Sequence, residues 1–380
     1  MGLFIKIQIA FVCLCLVVAS TAQTKYEAPI AWKQSGVLPV QPNGLIHMGL
    51  SGVVSGLVGD QIIIAGGNNF PEGLPWEGGI KKYYKRVIVY NNQKDTLLNT
   101  FTFNLPANVA YAAVAQLKDG IFYAGGENEN GPLSSAYLIK KGKQQTFEII
   151  ELPHLPIAIT NAVAVATDNA LYFLGGANKE GVSNRVWKLA LNNIKKGWTV
   201  QASLPQPTSF AAAAIANEHI YIIGGRCKEA NGISKIYKEV YAFDVENNFW
   251  EQKASLPETV SAACALAIDN NKILFIGGDK IVVFHEVEML AAKIAATTDT
   301  TIKKELTVVK NNLQKTHPGF SKDVLAYDAS LNKWSPYAQL SFAAPVTTNA
   351  FLFNHKIILP VGEIKPGIRT PYIRVGSFKK

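Results

Sequence analysis

Cysteine is scarce in this sequence, which contains four cysteines among 380 residues. Cys13 and Cys15 fall within an apolar N-terminal segment, which leaves Cys227 and Cys264 for the remainder of the chain. One disulfide between them is possible, but nothing in their spacing requires it. A scaffold stapled by several disulfides is therefore excluded, and a packed core has to stabilise the fold, which the 48% hydrophobic composition allows.

The sequence also lacks the residue patterns of several large classes of site. It contains no Gly-x-Ser-x-Gly nucleophile turn, no glycine-rich phosphate loop and no nucleic-acid-binding module. The formal net charge of +9 comes with scattered lysines, and it is compatible with an anionic ligand. Since no histidine has metal-ligand spacing, we expect surface or packed imidazoles and neither a metal nor a cofactor. The histidines are His47, His154, His219, His285, His317 and His355.

Long hydrophobic runs are absent apart from residues 1–22. In that segment Lys6 precedes the apolar stretch Ile7–Val18, and small residues lie just before Gln23. This pattern predicts a secretory signal peptide that is removed before Gln23. The apolar stretch is too short to cross about 30 Å of hydrocarbon, so we expect no membrane anchor. The mature chain, residues 23–380, is then an exported protein.

The sequence does contain an internal repeat. A short apolar strand pattern ending in a glycine pair occurs five times, and a sixth copy, Ile357–Gly362, has Val361 in place of the first glycine. The first five copies are 49–59 residues apart, and 84 residues separate the fifth from the sixth. Glycine allows a positive φ and a close approach of neighbouring strands. The pairs are Gly66-Gly67, Gly125-Gly126, Gly175-Gly176, Gly224-Gly225 and Gly277-Gly278.

Each copy is accompanied by the same neighbouring segments. A strand of small residues such as Ala211–Ala216 precedes the glycines, and a strand ending in an aromatic residue, such as Val240–Asp244, follows them. A tryptophan and a Leu-Pro pair complete the unit, as in Trp250 with Leu256-Pro257. Four short strands in about 50 residues are typical of a kelch propeller blade. The sequence therefore predicts an all-β protein, a six-bladed kelch-type β-propeller.

The sixth repeat is split between the two ends of the chain. Its C-terminal part, Tyr372–Phe378, lacks a last strand, whereas residues 32–39 contain the tryptophan and the Leu-Pro pair of one. We expect this N-terminal strand to pair with the C-terminal strands. Closing the ring in this way removes two exposed sheet edges, which would otherwise favour aggregation.

The long step between the fifth and sixth copies contains an insertion at about residues 286–315, where the strand pattern stops. Apolar residues recur there at helical spacing, and Asp299 or Thr300 can cap a helix. The spacing predicts one or two short helices in a loop of the fifth blade. We expect their apolar face to pack on the propeller, and a lid over the central channel is the alternative.

Candidate binding residues follow the glycine pairs. Loops that begin there are expected to meet at the mouth of the propeller channel, where several blades converge. We predict that Asn68, Glu127 and Arg226 bind a ligand, and Arg226 is the best suited to an anion. A solvated loop residue is the alternative at each position. The residues after the second glycine are Asn68, Glu127, Ala177, Arg226, Asp279 and Glu363.

The sixth of these loops has the densest set of functional groups. Glu363 leaves a short apolar strand, and the Pro366-Gly367 turn can bring Arg369 back towards it. A positioned carboxylate beside a guanidinium can act on an acidic substrate, with Lys365 as a further cation. The alternative is a solvated turn that holds a surface ion pair.

Six kelch-type repeats behind a signal peptide, together with Gly362-Glu-Ile-Lys-Pro-Gly-Ile-Arg-Thr370, resemble the bacterial N-acetylneuraminate epimerases, the sialic acid mutarotases. The corresponding segment of that family reads Gly-Glu-Ala-Lys-Pro-Gly-Leu-Arg-Thr, from which Ile364 and Ile368 are mild changes. The resemblance covers essentially the whole mature chain in circularly permuted order, as in the branch described as cyclically permuted mutarotases. A closed ring of blades tolerates such a permutation.

The resemblance implies a periplasmic isomerase that interconverts the α and β anomers of free N-acetylneuraminate without a cofactor. It implies that Glu363 is the proton acceptor and Arg369 the second essential residue. One carboxylate can act as base and then return the proton as acid, and a guanidinium can hold a substrate carboxylate in a fork. The alternatives are a non-catalytic kelch propeller that binds an exported glycan or protein partner, and a lyase or other epimerase for a related acidic sugar. The oligomeric state is left open.

Overall fold

The computed structural model describes residues 30–41, 44–93, 96–143 and 146–379. The expected signal peptide, residues 1–22, lies outside the described residues. Six antiparallel sheets, each with four principal strands, form the six blades of a β-propeller, which confirms the predicted fold class. Within the described ranges, no helix is long and apolar enough to cross a membrane.

The blades are numbered here in chain order, and their strands are given from the innermost to the outermost. Blade 1 contains Ser51–Val58, Gln61–Asn69, Arg86–Gln93 and Thr96–Asn104, with Lys82–Tyr83 paired to the second strand. Blade 2 contains Ala113–Leu117, Gly120–Ala124, Ala136–Lys141 and Phe147–Leu152. Blade 3 contains Val163–Ala166, Ala170–Leu174, Val186–Ala190 and Thr199–Val200.

The remaining blades follow the same order. Blade 4 contains Ala212–Ala216, His219–Ile223, Val240–Asp244 and Phe249–Lys253. Blade 5 contains Cys264–Ala267, Lys272–Ile276, Asp323–Asp328 and Lys333–Gln339. Blade 6 contains Phe351–Phe353, Lys356–Leu359, Tyr372–Phe378 and the N-terminal strand Ile30–Val37. The 3₁₀ segments Pro75–Glu77 and Leu191–Lys196 lie in loops.

The second strand of each blade explains the continuous apolar runs of the sequence. Every residue of Gly120–Ala124 and of Ala170–Leu174 is buried, because neighbouring blades cover both faces of the sheet. Small residues on the innermost strands allow these strands to pack side by side around the axis. The repeated apolar segments therefore form the hydrophobic core between neighbouring blades.

The repeated tryptophan and Leu-Pro pair link one blade to the next. The indole Nε1–H of Trp250 donates to the carbonyl oxygen of Ala202 at 2.9 Å, two residues before the Leu-Pro pair of blade 3. Trp198 and Trp334 make the same bond, to Pro153 at 2.7 Å and to Ala254 at 2.8 Å. Since buried indole N–H groups need an acceptor, this contact fixes the outer strand of one blade on its neighbour.

A ring of backbone hydrogen bonds surrounds the axis at the start of the innermost strands. Each blade contributes one residue with φ between +52° and +66° to this ring, which we call the collar. Five links of 2.7–3.1 Å run from the N–H of one collar residue to the carbonyl of the collar residue in the preceding blade. The collar residues are Gly52, Tyr111, Asn161, Phe210, Ala262 and Thr347.

Blade 6 joins the two ends of the described chain. Ile30–Val37 pairs antiparallel with Tyr372–Phe378, from Ile30 opposite Phe378 to Val37 opposite Tyr372. Ile30 and Leu38 are buried against the neighbouring strands. Each of the six sheets thus has four principal strands, and the edge of Tyr372–Phe378 is paired with the N-terminal strand.

The insertion in blade 5 is confirmed as a helical hairpin between the second and third strands. It consists of α1, Val282–Ala296, and α2, Thr300–Lys315, and the Asp299 carboxylate caps α2 by accepting from Thr301 N–H and Ile302 N–H. The predicted start at about residue 286 was too late. Residues 281–284 are β-branched or aromatic and favour a strand, but the left-handed Ile281, with φ +83°, begins a helix there instead.

Candidate active site

The collar places the residues that follow the glycine pairs. In blades 2 to 6, the first residue after the pair makes a backbone bridge with the residue just before the collar residue. The pairs are Glu127 with Ala110, Ala177 with Thr160, Arg226 with Ser209, Asp279 with Ser261, and Glu363 with Val346. In four blades the segment continues as a two-stranded ribbon, such as Arg226–Lys228 with Ser234–Ile236. These residues therefore stand directly around one end of the channel.

A cavity of about 370 Å³ lies at this end of the channel. Five collar residues form its floor, namely Tyr111, Asn161, Phe210, Ala262 and Thr347. Its wall carries the charged residues Lys81, Glu127, Arg226, Asp279, Glu363 and Arg369. Apolar side chains from the blade 1 loop and from the helical insertion cover it, including Phe70, Pro75, Val283, Phe284 and Phe320. Several blades thus contribute charged side chains to one partly open cavity that apolar side chains cover.

Glu363 and Arg369 lie opposite each other on a ribbon formed by Gly362–Lys365 and Ile368–Thr370. Arg369 Nη1 is 3.8 Å from Glu363 Oε1. The same oxygen accepts a hydrogen bond of 2.6 Å from the N–H of Gly367, which has φ +74° in the turn. Glu363 Oε2 has no hydrogen-bonding partner among the described residues. It is therefore available to a ligand in the cavity.

Arg369 is a buried cation whose hydrogen-bonding capacity is largely unused. Its side chain is 3% exposed, Nη2 donates to Asn68 Oδ1 at 3.3 Å, and its guanidinium lies 4.6 Å from the centre of the Phe70 ring. Nε and Nη1 are buried without a hydrogen-bond acceptor in the described part of the chain. Because unpaired buried donors are costly, particularly charged ones, this arrangement favours an anionic ligand at Arg369.

Asn68 supports Arg369 from behind and is not among the residues that line the cavity. Its Nδ2 donates to Ser51 O at 3.0 Å, and its Oδ1 accepts from Arg369 and, at 3.4 Å, from Tyr111 O–H. The side chain is fully buried. Lys365 is likewise absent from the lining of the cavity, although it lies in the same ribbon as Glu363.

Arg226 is held between two aromatic rings. Its guanidinium carbon lies 4.0 Å from the centre of the Phe210 ring in the collar and 4.2 Å from that of Phe284 in α1. Burial lowers the pKa of Arg226 from its usual value, and Glu288, Asp279 and Glu363 oppose that effect. Arginine nevertheless stays charged in proteins. The cavity therefore contains a second cation, which two aromatic rings contact.

Glu127 belongs to a hydrogen-bonded group on the side of blades 1 and 2. Its Oε1 accepts from Lys81 Nζ at 3.1 Å and from Tyr83 O–H at 2.7 Å. Burial and the bond to Glu127 raise the pKa of Tyr83 to about 12. Burial alone would lower the pKa of Lys81, but Tyr111, Glu127 and Tyr83 outweigh it and raise that pKa. Lys81 and Tyr83 therefore stay protonated at neutral pH and remain hydrogen-bond donors to Glu127.

His317 lines the cavity at the exit of the insertion, although its sequence context indicated only a surface or packed imidazole. Its Nδ1 accepts from Gly319 N–H at 3.0 Å, so a neutral ring carries its proton on Nε2. Nε2 has no partner among the described residues. Burial lowers the pKa of His317; Asp279 opposes this shift and Lys365 adds to it. The ring is therefore a neutral hydrogen-bond donor, and the His-Pro-Gly exit was its single sequence signal.

The aromatic collar residues were also missed, although a signal for them exists. Tyr111 and Phe210 occupy equivalent positions just before small-residue strands, and an alignment of the six repeats would bring these positions together. Across the described ranges, no group of three or more His, Cys, Asp or Glu side chains is arranged to hold a metal ion. Cys227 and Cys264 are both free thiols.

Comparison with known proteins identifies relatives of this chain. The family model for N-acetylneuraminate epimerase matches residues 152–380, more than half of the chain. The N-acetylneuraminate epimerase of Vibrio vulnificus (strain YJ016) is 26% identical over 234 residues, which are 60% of this chain and 59% of that protein. The protein of the same name from Yersinia pestis (strain Pestoides F) is 27% identical over 234 residues, 60% of this chain and 58% of that protein.

A fungal protein also matches, over a longer part of the chain. The Kelch-like protein terF of Aspergillus terreus (strain NIH 2624 / FGSC A1156) is 25% identical over 362 residues, 92% of this chain and 68% of that protein. The match to the two bacterial relatives spans about three fifths of their length.

Proposed function

The chain belongs to the N-acetylneuraminate epimerase family, and from this membership and the geometry of the cavity we propose that it is a mutarotase of free N-acetylneuraminate. The observation that carries the proposal is the pair formed by Glu363 and Arg369. A carboxylate with one free oxygen stands beside a buried guanidinium with two unused nitrogens. This combination suits a sugar acid, because base and carboxylate-binding group are adjacent.

In the proposed reaction, Glu363 takes the proton of the anomeric hydroxyl of the cyclic hemiketal. Glu363 passes this proton to the ring oxygen as the bond between the anomeric carbon and the ring oxygen breaks, and a ketone forms. Rotation exposes the other face of the ketone. The former ring hydroxyl then attacks the ketone carbon and gives its proton back to Glu363, which transfers it to the ketone oxygen and so forms the new anomeric hydroxyl; the reaction has no net change in protons.

The other residues of the cavity have supporting roles in this proposal. Arg369 binds the substrate carboxylate through Nε and Nη1 and stabilises negative charge that develops on the adjacent oxygen. Asn68 holds Arg369, and Arg226 and Glu127 contact the anionic sugar and its hydroxyl groups. His317 donates from Nε2 to a sugar oxygen. Lys365 contributes positive potential from outside the cavity.

The decisive experiment follows the anomers directly. N-Acetylneuraminate enriched in the α anomer is freshly dissolved, and proton NMR records the approach to the anomeric equilibrium with and without protein. We expect a faster approach with protein and the same final ratio. An unchanged rate together with measurable binding would leave the alternative of a non-catalytic kelch propeller that binds a glycan.

We further propose that the protein is exported to the periplasm and acts there on free sugar. The support for this proposal is the N-terminal pattern of one lysine, an apolar stretch and small residues before Gln23. Cell fractionation and N-terminal sequencing of the isolated protein test it. A mature protein that starts at Met1 and stays in the cytoplasm would contradict it.

A further inference from the structure

The strongest observation outside the Glu363 ribbon is the position of the Arg226 guanidinium. The guanidinium carbon lies over rings from two separate elements: Phe210 from the collar at 4.0 Å and Phe284 from α1 at 4.2 Å. A guanidinium is planar and donates within its plane. Its N–H groups are therefore available along the edge of the group. Within the described residues that edge makes no side-chain hydrogen bond or ion pair.

The ring on the collar side is fixed by the backbone. Phe210 has φ +52°, which is uncommon for an aromatic residue and is maintained by the collar. Its N–H donates to Asn161 O at 3.0 Å, and its carbonyl accepts from Ala262 N–H at 2.8 Å. One side of the guanidinium therefore rests on a rigid surface.

The ring on the other side depends on the helical insertion. Phe284 and Glu288 are one turn apart on α1 and so share a face. The Glu288 carboxylate accepts from Ser234 N–H at 2.7 Å and from Ser234 O–H at 2.9 Å. Ser234 lies on the ribbon strand that pairs with Arg226–Lys228. Glu288 thus attaches α1 to the same ribbon that carries Arg226.

We propose that the insertion completes a carboxylate-binding subsite, in which Phe284 is a positioning residue that holds Arg226 and Glu288 fixes Phe284. The identity of the ligand, the carboxylate of N-acetylneuraminate shared between Arg369 and Arg226, rests on the proposed function. Glu363 lines the same cavity as both cations and pairs with Arg369. The helical hairpin is then part of the binding site.

Binding of an acid and its neutral ester tests the subsite. Calorimetry measures the affinities of wild type, Phe284→Ala and Phe284→Tyr for N-acetylneuraminate and for its methyl ester. We expect Phe284→Ala to weaken binding of the acid about 3- to 30-fold, the range expected for a lost cation–π contact, and to leave the ester nearly unchanged. Phe284→Tyr keeps a ring and should restore binding of the acid. Glu288→Ala should act in the same direction as Phe284→Ala.

Val287→Ala is the matched control, because Val287 lies on the same helix and lines the cavity but has no ring to place against Arg226. It should change the affinities for acid and ester by the same factor. Equal losses for acid and ester in Phe284→Ala would overturn the proposal and assign Phe284 to packing.

A second measurement does not depend on the substrate. In protein labelled with ¹⁵N-arginine, the Arg226 Nε–H resonance should be shielded by the two rings, and Phe284→Ala should remove part of the shielding. Val287→Ala should not. If wild type neither binds nor interconverts N-acetylneuraminate, the proposed function fails. The Arg226 Nε–H resonance still shows in that case whether Arg226 lies against the two rings. An unshielded resonance in wild type, or no change in Phe284→Ala, would contradict the proposal.

Discussion

At the scale of single residues, Glu363 is the group on which the proposed chemistry depends. Glu363→Gln keeps the shape of the side chain and an acceptor for Gly367 N–H, but it cannot take a proton. We expect the catalysed rate to fall about 10²- to 10⁴-fold, as is usual for loss of a general base, while binding persists. NMR of anomer exchange and calorimetry measure the two effects. Near wild-type rates in a folded variant would remove Glu363 from the mechanism.

Arg369→Lys tests the planar fork separately from the charge. Lysine keeps the positive charge but lacks the in-plane donors, of which Nη2 binds Asn68 and Nε and Nη1 are buried without an acceptor in the described residues. We expect affinity for N-acetylneuraminate and turnover to fall together, by about 10- to 100-fold, which corresponds to one or two charged hydrogen bonds. Arg374→Lys is the control, because Arg374 packs on Phe342 and Tyr372 in blade 6. If both substitutions had the same effect, a specific role for Arg369 would be excluded.

The buried Asp279 carboxylate lowers the stability of the folded protein when it is charged. Burial raises its pKa above the usual value, against the bond from Ile281 N–H and the charges of His317 and Arg226. The folded state therefore binds this proton more tightly than the unfolded state. The stability that Asp279 contributes is present at pH values below the unfolded pKa of 3.8 and is lost as pH rises through the folded pKa.

Asp279→Asn is expected to raise the melting temperature at pH 7, because it removes the buried charge and keeps an acceptor for Ile281 N–H. The gain should shrink as the pH falls towards 3.8. Melting of both proteins by circular dichroism at several pH values measures it. A lower melting temperature of the variant at pH 7 would mean that the electrostatic attraction of Arg226 outweighs burial.

At the scale of the elements, the glycine pairs are sites of close approach. A Cβ on Gly125, at φ +63°, would lie 2.4 Å from the carbonyl oxygen of Ile159 in the next blade, whereas a Cβ on Gly232, at φ +82°, would meet nothing within 4 Å. Gly232→Ala should cost about 1–2 kcal/mol for the left-handed backbone alone. Gly125→Ala should cost about 1–3 kcal/mol more, because the blades must also move apart. Urea denaturation measures the loss of unfolding free energy in each variant. Equal losses in Gly125→Ala and Gly232→Ala would contradict close packing at the Gly125-Gly126 pair.

At the scale of the whole molecule, the strand Ile30–Val37 closes the ring. Deleting residues 23–39 exposes the edge of Tyr372–Phe378 and removes the buried side chains of Ile30 and Leu38. Each of these side chains is worth about 1.5–3 kcal/mol. We expect a clear fall in the melting temperature and a tendency to associate through the open edge. Scanning calorimetry with light scattering measures both, and an unchanged melting temperature would mean that the strand is dispensable.

Much of the fold could be predicted because its signals are local. Glycine pairs, small-residue strands and the tryptophan with Leu-Pro each occupy a few consecutive residues, and repetition makes weak signals additive. The cap at Asp299 was visible for the same reason. The start of α1 was not, because residues 281–284 favour a strand by composition and the surrounding structure decides otherwise.

The sequence by itself determined the six blades and a turn that returns Arg369 to Glu363. Tertiary structure alone decided what surrounds that pair. Phe210, Phe284 and His317 come from the collar, the insertion and its exit, and their spacing in the chain shows no relation between them. A propeller brings loops of different blades to one channel mouth, so Arg226 in blade 4 meets Phe284 from the insertion of blade 5. For the same reason, the unpaired donors of Arg369 become evident once its surroundings are in place.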